Sequence, residues 1–321
     1  MAAKAFGRIL SAFALGLFAL GASAQSYPSR PITLVVPYTP GTGIDIIART
    51  IGPKLTDRWG RPVVIENKPG ASGNIGANTV AKASADGYTM MVTVNTFTMT
   101  PALFPSLPYD PVRDFTIVSG AATGNLSLVA NPASGITDLP SLKKLAGSRS
   151  LTYSSPGNGT PQHLAMEVIK QRLELDILHV PYKGAAQALT DLVGGQVQLA
   201  VLPVHTALPH AKNGRLNVIA VSGERRSVLA PDLATFADLG LPNLGLDLYF
   251  WIAGPAGLPG DIVQKWTNEI SQILQLADVR DTFIRQGMVP NAAPPAEQGA
   301  AIAKDVMRWK AFISQAGIKA D

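Results

Sequence analysis

Apolar residues in this chain form short runs that alternate with longer segments of helical periodicity. The first run, Pro31 to Pro37, is rich in β-branched residues and predicts a buried strand. A glycine-containing loop follows it, and then a segment in which apolar residues recur every four positions, which predicts a helix with one apolar face. Those positions are Ile47, Ile51, Leu55 and Trp59. We expect Gly52-Pro53 to bend or shorten this helix.

The order strand, glycine loop, helix then repeats along the chain. Strands are predicted near 61–66 and 88–94, separated by a helix over 74–83. A second unit begins with a strand at 151–154 and continues with strands at 177–180, 197–202 and 216–221. Strands that alternate with helices are typical of a parallel sheet with helical crossovers, so the pattern predicts an α/β fold. Helices are also predicted from Pro259, Ala277 and Pro295.

Two apolar segments predict the places where the chain passes between the two units. Residues 119–124, between the runs 115–118 and 126–130, are interpreted as one crossing, and the run 246–253 as the return crossing. We therefore predict one lobe formed by residues 25–121 plus 249–321 and a second formed by 122–248. Such a duplication is typical of proteins that hold a ligand in a cleft.

The first 24 residues have the features of a secretory signal peptide. Lys4 and Arg8 precede an apolar run from 9 to 20, and Ala22-Ser-Ala24 is a small-residue cleavage site ahead of Gln25. The chain has no cysteine, so neither a disulfide nor a lipid-anchored cysteine can form. We predict an unanchored protein of the bacterial periplasm.

Composition and charge bear on the class of function and on the size of the core. Removing the two leader cations from 27 Lys and Arg leaves a weak positive balance against 22 Asp and Glu. Without a basic cluster interleaved with aromatic residues, nucleic-acid binding has no support. At 46% hydrophobic residues over 321 positions, the chain can bury a large core and is long enough for two lobes.

The segment Leu151 to His163 is the strongest candidate for a binding element. Gly157 and Gly159 allow backbone conformations closed to other residues, Thr160 is a good helix N-cap, and Pro161 suits the first helical position. A helix N-terminus presented in this way suits an anion such as a carboxylate. The same residues also serve in an ordinary strand-to-helix connection.

Motifs for catalysis, nucleotides and metals are missing from the sequence. Gly41-Thr-Gly43 begins like a dinucleotide fingerprint, but Ile46 stands at its third position. The four histidines have no metal-ligand spacing, and we predict neither a cofactor nor a metal. Of these histidines only His163, one turn into its helix, is a candidate to face a ligand. Asp45 is either a ligand contact or an acid that stabilises its own helix.

Four motifs together resemble the Bug/TctC substrate-binding proteins of tripartite tricarboxylate transporters, and the resemblance covers essentially the whole chain after the leader. The motifs are Pro37-Tyr-Thr-Pro-Gly-Thr-Gly-Ile-Asp45, Val64-Ile-Glu-Asn-Lys-Pro-Gly-Ala-Ser-Gly-Asn-Ile-Gly76, Tyr153-Ser-Ser-Pro-Gly-Asn-Gly-Thr-Pro-Gln-His-Leu-Ala165 and His179-Val-Pro-Tyr-Lys-Gly184. The resemblance implies a two-lobed periplasmic binding protein of type II, with a mostly parallel sheet flanked by helices in each lobe.

In function, the resemblance implies a solute-binding protein that closes on a small carboxylate and delivers it to a membrane permease. We predict a monomer without enzymatic activity. The ligand is expected between loops 38–45 and 154–160, held by their backbone N–H groups and small hydroxyls, with no Arg or Lys clamp. The candidate residues are Tyr38, Thr39, Gly41, Thr42, Gly43, Asp45, Asn95, Thr96, Ser154, Ser155, Gly157, Asn158, Gly159, Thr160 and His163.

Two positions depart from the family pattern. Thr42 stands where a second glycine is usual, and Val201-Leu-Pro-Val-His205 replaces a segment that carries polar side chains beside the cleft. Both departures leave the identity of the carboxylate open. The alternatives to a transport protein are an exported hydrolase or isomerase that uses the same cleft, or a ligand sensor for a membrane kinase.

Overall fold

The computed structural model describes residues 27–104 and 106–318. Within them the chain forms two β-sheets with helices on both faces. The strands are β1 (Ile32–Val36), β2 (Val63–Asn67), β3 (Thr89–Val94), β4 (Phe115–Gly124), β5 (Leu126–Ala130), β6 (Leu151–Ser155), β7 (Ile177–Pro181), β8 (Leu199–Pro203), β9 (Asn217–Val221), β10 (Leu248–Pro255) and β11 (Met288–Pro290). The helices are α1 (Gly43–Trp59), α2 (Asn74–Ala81), α3 (Thr96–Leu103), α4 (Leu139–Ala146), α5 (Pro161–Leu173), α6 (Ala185–Val193), α7 (Val204–Lys212), α8 (Gly260–Ile273), α9 (Ala277–Arg285) and α10 (Pro295–Ala316).

The first sheet has the strand order β11-β4-β10-β3-β1-β2, and the second has the order β7-β6-β8-β5-β9. Strands β1, β2 and β3 are parallel, and so are β6, β7 and β8. The pairings of β10 and β5 are antiparallel, so four of six strands in the first sheet and four of five in the second share one direction. The predicted α/β class with two helix-flanked sheets is confirmed. We call the two sheets with their helices the first lobe and the second lobe.

Alternating side chains give each sheet two apolar faces. In β1, Leu34 and Val36 pack with α1, α8 and α9, whereas Val35 packs with α2 and α10 on the other face. In β8, Leu199 and Ala200 divide in the same way between two clusters of the second lobe. Because successive strand residues point to opposite faces, a continuous apolar run is required for a sheet covered on both sides. This requirement explains why the runs were readable from the sequence.

The chain changes sheets at two neighbouring points. Strand β4 of the first sheet ends at Gly124 and β5 of the second begins at Leu126, so the change falls on Asn125. The return falls just before Leu248, the first residue of β10. Residues 119–124, expected to be the crossing itself, instead extend strand β4, which is a correction to the sequence interpretation. The lobe limits at 121/122 and 248/249 stay a prediction.

Three helices were not predicted from the sequence, and each of them contains a proline. Helix α3 carries Pro101 and helix α7 carries Pro209, while α4 has a proline in its first turn. In α3 the carbonyl of Phe97, which Pro101 cannot satisfy, accepts a hydrogen bond from the hydroxyl of Thr100 at 3.2 Å. A side chain thus replaces the missing backbone donor, and the buried helix keeps its hydrogen bonding.

Proline in α1 does not shorten the helix as expected. The helix is continuous from Gly43 to Trp59, and Pro53 lies on its exposed face, where water can reach the unsatisfied carbonyl. Gly52 beside it faces β2, since a Cβ there would lie 2.9 Å from the Ile65 side chain. The pair therefore allows close packing on one side and solvation on the other.

An apolar cluster joins the lobes behind the cleft. Met99 and Leu103 of α3 and Trp309 of α10 come from the first lobe, and Leu164 of α5 comes from the second. All four side chains are buried. Helix α5 therefore contacts α3 and α10 of the first lobe as well as the core of its own lobe.

A polar cluster occupies the two crossings. The Asn125 amide donates to Asp247 Oδ1 at 3.0 Å and to the Ser222 carbonyl at 3.1 Å, and the Ser222 hydroxyl donates to the same carboxylate at 2.5 Å. Burial raises the pKa of Asp247 despite these two hydrogen bonds to its carboxylate, and the nearby charge of Glu224 adds to the rise. The crossings are thus linked by a carboxyl group that is harder to ionise in the folded protein than in water.

The predicted signal peptide, residues 1–24, and its cleavage position at Gln25 lie outside the described residues. Among the helices that are described, none has both the length and the hydropathy needed to cross a bilayer.

We expect the unfolding free energy of Asp247→Asn, relative to that of wild type, to increase as the pH rises. The folded-state pKa of this carboxyl lies above the unfolded value of 3.8, so wild type loses stability as the pH rises from the unfolded-state to the folded-state pKa. An uncharged amide at this position causes no such loss. Urea unfolding of both proteins at about pH 4 and about pH 7 measures the difference. A difference in unfolding free energy that is constant with pH, or that falls, would contradict the assignment.

Candidate functional site

A cleft of about 530 Å³ lies between the lobes, where the carboxyl ends of the parallel strands of both sheets meet. Its walls come from the segments that follow β1, β2, β3, β6, β7 and β8, together with β10 and the approach to β11. The lining residues are Tyr38, Thr39, Gly41, Thr42, Gly43, Ile44, Ser72, Val94, Thr96, Gly124, Asn125, Pro156, Thr160, Pro161, Gln162, Gly184, Ala185, Pro203, His205, Leu248, Phe250, Gln286, Gly287 and Met288. A cavity of this size suits a small molecule.

The loop after β1 is held by Asp45 of the first turn of α1. Gly41 has φ 84°, and its N–H donates to Asp45 Oδ2 at 2.9 Å. The same carboxylate accepts from Arg49 Nε at 2.9 Å and from Asn67 Nδ2 at 2.9 Å. Burial alone would raise the pKa of Asp45, but the hydrogen bonds from Arg49, Gly41 and Asn67 outweigh burial and lower the pKa. The Asp45 side chain is therefore ionised, and both of its oxygens accept hydrogen bonds that fix the conformation of the loop.

The loop after β6 has the corresponding arrangement in the second lobe. Gly159 has φ 72°, and its N–H donates to His163 Nδ1 at 3.0 Å. The His163 ring is 5% exposed and stacks on His179, with ring centroids 4.1 Å apart and planes 8° apart. His179 Nε2 lies 2.7 Å from the Ser155 hydroxyl. Because Nδ1 of His163 accepts a hydrogen bond, that nitrogen carries no proton.

Several first-turn amides face the cleft without a protein acceptor. In both loops the glycine N–H is donated to a side chain four residues later, so Gly41 and Gly159 offer no amide to a ligand. Among the described residues no acceptor is found for the N–H groups of Gly43 and Ile44 in α1, Gln162 in α5 and Ala185 in α6. All four residues line the cleft. Their amides are the orphan donors of helix N-termini.

The cleft contains no formal charge of its own. None of the lining residues is Asp, Glu, Lys or Arg, and burial lowers the pKa of His205, which keeps that ring neutral. Positive potential comes instead from the N-terminal ends of α1, α5 and α6, which meet at the cavity. The arrangement can hold a small anion by hydrogen bonding to these N-terminal amides.

Comparison with known proteins identifies the family. Residues 47–318 match the family described as the tripartite tricarboxylate transporter family receptor. The chain belongs to this family. Protein BugT of Bordetella pertussis is 33% identical over 301 residues, covering 92% of both chains.

Solved structures agree with the family assignment. A structure described as that of a periplasmic transporter superposes with a TM-score of 0.82 at 33% identity, covering 92% of this chain and 100% of the other. A protein of R. palustris solved with adipate gives a TM-score of 0.81 at 31% identity, covering 91% and 99%. The predicted resemblance and the two-lobed periplasmic-binding-protein fold are confirmed. The tricarboxylate transporter receptors are substrate-binding proteins and not enzymes, which disfavours the hydrolase or isomerase alternative.

About half of the predicted site residues of this transporter receptor line the cleft. They are Tyr38, Thr39, Gly41, Thr42, Gly43, Thr96 and Thr160. The others do not line it, and they are Asp45, Asn95, Ser154, Ser155, Gly157, Asn158, Gly159 and His163.

The residues outside the cleft wall support the ones that form it. Asp45 and His163 each fix a loop glycine, and the Asn95 amide donates to the Asp247 carbonyl at 3.1 Å. Ser154 and Ser155 lie against a neighbouring cavity of about 200 Å³. Of the residues predicted in the second loop, Thr160 alone lines the cleft.

Sequence reasoning missed the contributions of α6, α7 and β10. Gly184 and Ala185, the ring of His205 and the side chain of Phe250 all border the cleft. The segment expected to lack polar groups therefore presents His205, which is a correction. A signal was available, because β8 was predicted as parallel and its carboxyl end had to reach the same edge of the sheet as β6.

Thr42, which departs from the usual glycine of this family, is accommodated without strain. It is the N-cap of α1 with φ −75° and ψ 161°, an extended conformation open to any residue, and its hydroxyl donates to the Thr39 carbonyl at 3.1 Å. The left-handed position in this loop is Gly41 instead. The substitution therefore adds a polar group to the wall and leaves the loop conformation available.

We expect Gly159→Ala to destabilise the protein by about 2 to 4 kcal/mol, the sum of left-handed strain and overpacking. The added Cβ would lie 2.6 Å from Leu103 Cδ1, in the buried cluster that joins the lobes. Gly214→Ala is the matched control, because its φ is 66° and nothing lies within 4 Å of an added Cβ. Urea unfolding compares the two variants. Equal destabilisation would show that the contact between Gly159 and Leu103 has no energetic weight.

Proposed function

We propose that this chain captures a small carboxylate anion in the cleft between its lobes and delivers it to the membrane permease of a tripartite tricarboxylate transporter. The observation that supports this function is an uncharged cleft onto which three helix N-termini open with unpaired N–H groups. The relative solved with adipate supports a carboxylate as the ligand class.

Backbone donors can supply the required affinity. A helix N-terminus favours an anion by about 0.3 to 2 kcal/mol, with the upper values in partly buried sites. A charge-assisted N–H contact contributes about 1.5 to 3 kcal/mol. Several such contacts together can give a binding free energy of about −8 kcal/mol, which corresponds to a micromolar Kd. The ligand carboxylate would lie at the N–H groups of Gly43 and Ile44, and its other polar groups at those of Gln162 and Ala185.

The lobes are proposed to close on the ligand about the two crossings. The lobe limits are proposed to lie close to 121/122 and 248/249, with the joints at Asn125 and Asp247, where the chain changes sheets. Closure would bring donors of α1 toward those of α5 and α6 and would exclude water from the anion. A closed, monomeric, liganded form is the species proposed to dock on the permease in the periplasm after removal of residues 1–24.

Carboxylate binding should raise the thermal stability of the purified protein. A ligand present at 100 times its Kd stabilises the folded state by about 2.7 kcal/mol, so adipate and other small carboxylates at millimolar concentration should give a concentration-dependent rise in Tm. Turnover of each acid is followed in parallel. If no acid shifts Tm, or if an acid is consumed, the proposed function is wrong.

Two variants of Gly43 test the contribution of its backbone N–H to ligand binding. Gly43→Pro removes one N–H at the first helical position, where proline is favoured, and Thr42 before it is already extended. Calorimetry with a carboxylate that shifts Tm should show affinity reduced by about tenfold or more. Gly43→Ala is the control, since it adds a Cβ at 3.4 Å from the Phe250 ring and keeps the N–H. Equal affinity of the two variants would exclude this amide from binding.

A further inference from the structure

We infer that the cleft selects carboxylates whose body is apolar and free of cationic groups, and that His205 is a specificity-determining residue for this selection. The inference rests on the proposed function and narrows its ligand class. Three independent features of the cleft carry it: no acidic residue in its lining, an apolar floor, and one neutral imidazole that has no hydrogen-bond partner in the described part of the chain.

An ammonium group would have no counter-charge in this cleft. No lining residue is Asp or Glu. The nearest acids in sequence to the lining segments, Asp45 and Asp247, do not line the cleft. Both carboxylate oxygens of Asp45 accept hydrogen bonds at the first loop, and Oδ1 of Asp247 accepts two at the crossings. Burying a charge without a partner is costly, so an amino acid would bind less well than the same acid without its amino group.

The floor of the cleft is apolar. Val94 at the end of β3, Leu248 and Phe250 of β10, and Met288 of β11 line it side by side. The Phe250 ring lies directly beneath the start of α1, since a Cβ on Gly43 would be 3.4 Å from two of its carbon atoms. A ligand carboxylate bound at the α1 amides therefore has its body against hydrocarbon. A hydroxyl group or a third carboxylate directed at that floor would lose water and face hydrocarbon instead.

His205 lines the cleft from the second lobe and can hydrogen-bond a polar group of the ligand. It belongs to the first turn of α7 in the second lobe, yet its ring lies against the first lobe, because a Cβ on Gly287 would be 2.9 Å from Nδ1. The ring has no hydrogen-bond partner among the described residues and is only partly buried. A neutral imidazole has one N–H donor and one acceptor nitrogen. It can therefore donate to a carboxylate oxygen without adding charge to the site.

Matched acids test the selection. Succinate, glutarate and pimelate are titrated by calorimetry beside aspartate, glutamate and 2-aminopimelate, which differ from them by one amino group, and glutarate is also compared with tricarballylate, which adds a third carboxylate. We expect each substituted acid to bind about tenfold or more weakly than its parent. Equal or tighter binding of the amino acids or of tricarballylate overturns the inference and leaves carboxylate capture intact. Failure of all these acids to bind contradicts both.

Variants of His205 test the residue itself. His205→Ala should weaken the best-binding dicarboxylate by about tenfold, and His205→Gln, which keeps a neutral donor, should recover most of the affinity. His205→Asp should abolish dicarboxylate binding and reduce the discrimination against the amino derivative. His210→Ala, on the same helix and outside the cleft lining, is the control and should bind as wild type does. Wild-type affinity and wild-type discrimination in His205→Ala and His205→Asp would overturn the assignment.

Discussion

The binding face of this transporter receptor depends on one hydrogen bond that occurs once in each lobe. A glycine with positive φ donates its N–H to a side chain four residues later, from Gly41 to Asp45 and from Gly159 to His163. The bond turns the loop so that the helix N-terminus behind it opens to the cleft. One acceptor is a carboxylate and the other an imidazole nitrogen, so the chemistry differs while the geometry is shared. Neither Asp45 nor His163 lines the cavity, but each fixes the loop whose other residues do.

The same bonds explain how a site without Arg or Lys can attract an anion. Beyond these glycines, the N–H groups of Gly43, Ile44 and Gln162 have no acceptor among the described residues, and all three residues line the cavity. Fixed dipoles interact more strongly with an anion in a cleft that excludes water than they would in bulk water. A side-chain cation would need to be ordered on binding, whereas these donors are held by helices packed into the two cores.

The sequence predicted the α/β class, the two-unit order and the two loops, because each depends on local pattern: β-branched runs, helical spacing and glycine positions. Helices α3, α4 and α7 were not predicted, since Pro101, for example, is tolerated through a Thr100 hydroxyl bond that no periodicity reveals. The cleft-facing set was half predicted. Which side of a loop faces a ligand depends on long-range contacts, such as Leu103 against Gly159 and Gly287 against His205, that link residues far apart in the chain.

The central claim is that backbone amides at helix N-termini hold the anion. A crystal structure of the protein with a bound dicarboxylate tests it most directly. The account predicts carboxylate oxygens at about 2.9 Å from the N–H groups of Gly43 or Ile44 and of Gln162 or Ala185. A carboxylate paired with an Arg or Lys side chain, away from both loops, would contradict it.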